Sequence, residues 1–162
     1  MIKINVNTWS LYNQGIIPMR WFDLENDTLE DIQAYISTYS NSGDELFIAG
    51  YEIDGLDIDL DECSPSYAYE LYETLHGLES YELKAIAYLL YEGNTLDYAI
   101  ANYDDVEVYA DSTLLDLAYS FVEDGLYGEI SPTIANYLDY DSIARDLGYD
   151  YVELNGDVYR AA

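Results

Sequence analysis

The sequence predicts an α+β fold laid out as an elongated chain of three small domains, and three observations carry that prediction. Short strand-like runs mix with cap-led helical runs in both terminal thirds. The middle third carries helical signals only. The 162 residues show no long linker and no exact repeat, so the small segments are expected to lie in a row. The divisions are placed at residues 1–60, 61–103 and 104–162. Half of the chain is hydrophobic, which supports real cores and excludes a disordered acidic tail.

The first domain opens with KINVNTW, where Lys3, Asn5 and Asn7 alternate with Ile4 and Val6 as in a half-buried strand. GIIPMRWFDL follows, and Pro18 marks an edge or a bend. Thr28 predicts a capped helix over 29–39, with Asp31 in its first turn and Leu29, Ile32, Ile36 and Tyr39 along the inner stripe. DELFIAGYEI returns as a strand. In the middle domain, Ser64 followed by Pro65 starts one helix, Tyr81 to Tyr91 forms a second that Gly93 ends, and Thr95 caps a third with Leu96, Ala99 and Ile100 inward. In the last domain DVEVYA reads as a strand, 113–123 as a helix stopped by Gly125, Ser131–Pro132 as a further helix start, and 140–147 as a short helix ended by Gly148. YVELNGDVYR closes the pattern, its Asn155–Gly156 pair calling for a hairpin with a type I′ turn.

Charge dominates the composition. Asp and Glu number 33 against five Lys and Arg, a formal net charge of -28. Small designed domains are usually held near two to eight charges of either sign. Residues 1–81 carry 16 acids and residues 82–162 carry 17, so the charge is no tail. No Lys or Arg lies between Arg20 and Lys84, nor between Lys84 and Arg145. Most patterned elements therefore present an acidic solvent face. Direct nucleic-acid binding is excluded, because phosphate contact needs clustered cations. The complement is a basic protein, and a basic DNA-binding protein in particular. At about one charge per 1.7 Å of duplex, a charge of -28 matches roughly 48 Å of B-DNA. A halophile surface is the competing explanation of the charge, and it names no partner.

Other chemistry finds little footing. Asp57, Asp59 and Asp61 open like a calcium loop, but the positions that need Gly and Glu hold Glu62 and Ala68. A charged strand face or turn is the better reading. No carboxylate pair stands out as catalytic, His76 is the sole histidine, and Cys63 has no histidine near it in sequence. One cysteine rules out a disulfide framework and suits a reducing cytoplasm. No enzyme, cofactor or metal is expected. MIKINVN shows no secretory signal, and no run approaches about eighteen apolar residues, so no membrane span is expected. The twenty tyrosines cover short helices with aromatic area and keep a polar tip for water. At the surface they would also serve as contact anchors between carboxylates.

A set of ordered segments resembles the ArdA family of antirestriction proteins, DNA mimics that inhibit type I restriction-modification enzymes. The segments are Asn13, Gly15 and RWFDL (20–24), DELFIAGYE (44–52), LLYEGNTLDYAI (89–100), IANYLDYDSIARDL (134–147) and GDVYR (156–160). The fourth resembles the family's antirestriction motif. Departures are Ala144, where the family pattern has glycine, and a less standard stretch around 54–63. The resemblance implies a three-part elongated fold, a homodimer, and a curved acidic surface imitating bent B-form DNA at the enzyme's DNA site. It implies that Ile134, Tyr137, Leu138, Tyr140, Ile143, Ala144 and Leu147 support folding or dimerisation, with Arg145 in an internal or subunit ion pair. The acidic residues expected to meet the partner are Asp97, Asp104, Asp105, Glu107, Asp111, Asp116, Glu123, Asp124, Glu129, Asp139 and Asp141. Alternatives remain open: a DNA mimic aimed at a nucleoid protein, a CRISPR nuclease or another defence enzyme, or a general acidic partner for basic clients.

Overall fold

In the computed structural model, which describes residues 1–40 and 43–161, the chain is mixed α+β with two small antiparallel sheets. It divides into two compact units, Met1–Glu79 and Ser80–Ala162. The helices of the expected middle segment are shared between them. The first packs on the sheet of the N-terminal unit, and the other two belong to the C-terminal unit.

The N-terminal unit is built on strand β1, Ile2–Thr8, flanked by β2, Trp21–Asp23, and β3, Leu46–Ile53, in the order β2-β1-β3. Helix α1, Trp9–Asn13, had no signal in the sequence reading. It starts where the Thr8 hydroxyl, at the end of the strand, accepts the Leu11 N–H. Helix α2, Leu29–Ile36, carries the full reciprocal cap between Thr28 and Asp31. It stops three residues short of the expected end. The hydroxyls of Ser37 and Thr38 donate to the carbonyls of Gln33 and Tyr35, competing with helix continuation. Tyr39, beyond that end, lies exposed, as does Leu29 at the helix start, whereas Ile32 and Ile36 are buried. Helix α3, Pro65–Leu75, starts at the predicted Ser64 cap and buries Ala68, Leu71 and Leu75.

The polar side of β1 is a second departure from the alternation. Asn5 and Asn7 are buried, not solvated. The Asn5 amide donates to the carbonyls of Pro18 and Arg20, each at 2.9 Å, and the Asn7 amide to that of Ile16 at 3.2 Å. These bonds satisfy carbonyls of a loop that has no strand partner there. On the same sheet Trp21 lies across Gly50, where a Cβ would come within 3.2 Å of the indole.

The C-terminal unit begins with helix α4, Ser80–Tyr91, which buries Ala85, Ile86, Tyr88 and Leu89. Helix α5, Leu96–Asn102, starts at the Thr95 cap. A 3₁₀ turn, Tyr103–Asp105, then leads into β4, Val106–Tyr109. Helix α6, Leu114–Glu123, has a reciprocal Thr113–Asp116 cap, and the four-residue helix α7, Pro132–Ala135, is capped by Ser131. Helix α8, Tyr140–Leu147, packs on α6. Strands β5, Val152–Leu154, and β6, Asp157–Ala161, complete a sheet in the order β4-β6-β5. Asn155 and Gly156 both have positive φ, 54° and 86°, as the predicted turn requires. The core gathers Leu117, Phe121, Tyr151 and Val158, with Leu114 and Leu147 against it.

One acid is built into this unit. Asp157 is buried. Its Oδ1 accepts from Lys84 Nζ at 2.8 Å and from the Asp111 N–H at 2.8 Å, and its Oδ2 accepts from the Tyr159 hydroxyl at 3.1 Å. Tyr159 in turn stacks on Tyr88 with ring centroids 4.8 Å apart. Burial alone would raise the Asp157 pKa. The bonds from Lys84, Asp111 and Tyr159 outweigh it and hold the carboxyl below its ordinary 3.8. Burial and the Asp157 charge push Tyr159 up to about 12. Burial and Glu107 push Tyr109 to about 12 as well.

Two outcomes follow. Lys84→Met leaves the Asp157 carboxylate inside without its counter-charge, so urea unfolding should show a loss of about 1–3 kcal/mol, less than for a fully buried pair because Lys84 is a third exposed. Asp157's contribution is present above pH 3.8 and fades as pH falls through its lower folded value, so the gap between variant and wild type narrows in acid. The raised tyrosines act in the opposite direction. Their contribution is intact below pH 10 and is lost as pH rises towards about 12. Unfolding midpoints should fall across that range, with Tyr109 and Tyr159 the last tyrosines to ionise by ultraviolet absorbance.

Candidate partner-binding surface

A carboxylate loses several kcal/mol of hydration when it is buried unpaired, so a chain with this composition must turn its acids outward. All 33 lie among the described residues. Only Asp157 is buried, and only Asp23, Asp27, Asp44 and Glu82 are half-covered. The eleven carboxylates expected to meet a partner are all exposed, from Asp97 on α5 to Asp139 and Asp141 at the start of α8.

Two of them are held in place by the helices they begin. The Thr113 hydroxyl and then its N–H bond Asp116 and hold its pKa below the ordinary carboxylate value. The Ser142 hydroxyl and then its N–H do the same for Asp139. In the N-terminal unit, Thr28 does so for Asp31 by the same pair of bonds. These groups stay ionised and their oxygens are oriented by the backbone. Asp111 takes a left-handed backbone, φ 51°, which aims its N–H at Asp157 and leaves its side chain in water.

The cations do little to mask this surface. Arg20 pairs with Asp27, Lys84 with Asp157, Arg145 with Asp146 and Arg160 with Glu107. Each of the four thus faces a carboxylate of its own chain. Glu107 differs from the other ten expected contacts in that it shares its charge with Arg160 at 3.7 Å and accepts the Tyr109 hydroxyl at 3.0 Å.

The motif segment is only partly a core element. Ala144 is buried, and Leu138, Tyr140, Ile143 and Leu147 are half-buried. Leu147 packs on the Leu117, Phe121, Tyr151 and Val158 cluster, while Tyr140 stacks on Tyr119 with centroids 4.0 Å apart. Ile134 and Tyr137 are 58% and 84% exposed and add nothing to that core. Arg145 is exposed beside Asp146 at 3.5 Å.

Of the remaining sequence candidates, Asp59 and His76 have local partners. Asp59 accepts the Asp61 N–H and the Tyr51 hydroxyl, and these lower its pKa in that order. His76 stacks on Tyr72, with Nδ1 3.0 Å from the Glu73 carbonyl. Among the described residues no group of His, Cys, Asp or Glu is arranged to hold a metal ion, and no helix is long and apolar enough to cross a membrane. Sequence reasoning missed Asp157 as a structural acid. Its signal was available, since it follows Asn155–Gly156 and alternates to the same face as Tyr159.

Comparison with known families gives a match between residues 4–160 and the antirestriction protein (ArdA) family, nearly the whole chain. The chain belongs to the ArdA family. No curated protein matches it. ArdA membership supports an antirestriction function, and with it action on restriction enzymes as an inhibitor rather than as a catalyst.

Within this ArdA chain the motif residues should separate by role. Leu147→Ala should cost about 1–3 kcal/mol in urea unfolding. Tyr137→Ala should stay within about 0.5 kcal/mol of wild type in the same measurement.

Proposed function

We propose that the chain imitates the charge and shape of bent B-form DNA and competitively occludes the DNA-binding site of a type I restriction-modification enzyme. The observation that carries the reading is the near-complete outward placement of 33 carboxylates while four of the five cations face acids of their own chain. An enzyme that holds DNA presents arginines and lysines spaced for phosphates, and a carboxylate accepts the same bidentate bonds. Occupancy is the whole mechanism, with no bond made or broken. The eleven carboxylates from Asp97 to Asp141 are the proposed contacts. The cap and backbone bonds to Asp116 and Asp139 support the rigidity a mimic needs, because a charge that can move away relaxes the pattern.

The same reading includes a three-part elongated arrangement, with segments 1–60, 61–103 and 104–162, and a homodimer. The exposed Ile134 and Tyr137 support the dimer: they are apolar groups on the motif segment with no core to fill. A dimer through this segment would double the anionic length. The proposed site of action is the cytoplasm, where such enzymes meet incoming DNA.

The test is cleavage by a purified type I complex during titration with this protein, with DNA binding followed in parallel. Near-stoichiometric inhibition that excess target DNA relieves, and that weakens tenfold or more between about 0.05 and 0.2 M salt, is expected. Single neutralisations such as Asp104→Asn should change inhibition by less than about threefold, whereas Asp97, Asp104, Asp105 and Asp116 neutralised together should change it by more than about tenfold. Ile134→Asp with Tyr137→Asp should shift sedimentation from dimer to monomer. A folded protein that leaves an active enzyme uninhibited would overturn the type I assignment.

A further inference from the structure

We propose that the cleft between the end of α6 and the start of α7 is a receptor for an arginine side chain of the basic partner, a step that rests on the reading above that the partner is basic. The cleft lies wholly within the C-terminal unit, has a volume of about 920 Å3, and is lined by Tyr119, Val122, Glu123, Asp124, Glu129 and Tyr140 among others. Three independent features select its occupant.

The first is unrelieved negative charge. None of the described residues lining the cleft is basic. Glu123 is the last residue of α6 and Asp124 its cap, and the last turn holds no cation. A helix C-terminus already carries partial negative charge, so two carboxylates there oppose the helix they end. The Ser120 hydroxyl gives Asp124 a single bond at 3.2 Å, which leaves the charge in place. A cation seated in the cleft removes this conflict.

The second is the wall. Tyr119 and Tyr140 stack at 4.0 Å, bridging α6 and α8, and Val122 is buried beside them. An aromatic and aliphatic wall next to carboxylates suits a long side chain with an apolar stem and a charged head. Guanidinium fits better than ammonium, because it lies flat on an aromatic ring and offers paired donors to a carboxylate.

The third concerns the source of that side chain. A second copy of the chain brings only Lys3, Arg20, Lys84, Arg145 and Arg160, and the last four already face Asp27, Asp157, Asp146 and Glu107. Its three arginines are thus already engaged and its remaining cation, Lys3, is not an arginine, so the guanidinium that this cleft selects comes from a different molecule. The cleft thereby turns a diffuse acidic surface into one with a fixed anchoring point.

The experiment is a nuclear magnetic resonance titration of the full chain with N-acetyl-arginine methylamide, with the citrulline analogue as neutral control and the lysine analogue as the charged one. Saturable shifts are expected for Tyr119, Gly125, Gly128 and Tyr140, stronger with arginine than with lysine and absent with citrulline. Glu123→Gln with Glu129→Gln should weaken them about two- to fivefold without altering the rest of the spectrum. Shifts spread evenly over all acidic segments, as added sodium chloride gives, would overturn the proposal. So would protection of the cleft residues that disappears on dilution, since a second copy would then be the occupant. The titration needs no restriction enzyme. Arginine binding without inhibition sinks the type I reading alone, and inhibition without arginine binding sinks the cleft alone.

Discussion

Mutual repulsion among 33 carboxylates with five cations to oppose them is the constraint that the rest of this structure answers. Each unit must bury enough apolar area to hold together against a field that favours expansion. The N-terminal unit does so with a largely aliphatic core of Ile4, Val6, Ile32, Ile36, Ile48 and Leu60, joined by Phe22 and Phe47. The C-terminal unit relies more on aromatics: Tyr88 on Tyr159, and Tyr109, Phe121 and Tyr151 edge to face. Tyrosine suits this setting because its ring adds core area while its hydroxyl reaches either water or a carboxylate.

The scarce cations are spent inside the chain. Lys84 is the clearest case. It joins α4 to the hairpin carrying Asp157, 73 residues away in sequence, and the same carboxylate fixes the left-handed turn at Asp111 and the Tyr159 hydroxyl. One buried acid thus organises three segments, and it is ionised because three donors converge on it. That use of charge is opposite to the one made of the exposed acids that have no cation beside them, such as Asp97 and Asp104, although the residue types are the same.

Much of this was legible because its causes are local. Thr28, Ser64–Pro65, Thr95 and Ser131–Pro132 all cap helices where the sequence placed them, since a cap needs only its own next three residues. The Asn155–Gly156 turn was legible for the same reason. The outward placement of the eleven expected carboxylates followed from hydration alone. What stayed hidden depends on distant partners. Asn5 and Asn7 look like a solvent face until the loop from Ile16 to Arg20 folds over them. Helix α1 is five residues long and borrows its cap from the last residue of a strand, so no periodicity announces it. In the motif segment, nothing local distinguishes Leu147, which reaches the core, from Ile134, which does not.

The distribution of acids along the helices separates what the fold requires from what it tolerates. Asp31, Asp97, Asp116 and Asp141 sit in first turns, where a negative charge stabilises the helix, so folding alone can account for them. Glu73 and Glu123 lie near helix ends, where the same charge opposes the dipole, and only α8 carries a compensating cation in its last turn. An acid placed against its own helix costs stability in the free protein and regains it when a cation arrives. Selection for solubility could be met by favourable positions alone. The unfavourable ones are the better markers of a surface made for a basic partner, and Glu123 with Asp124 is where that marker coincides with a cleft able to receive one.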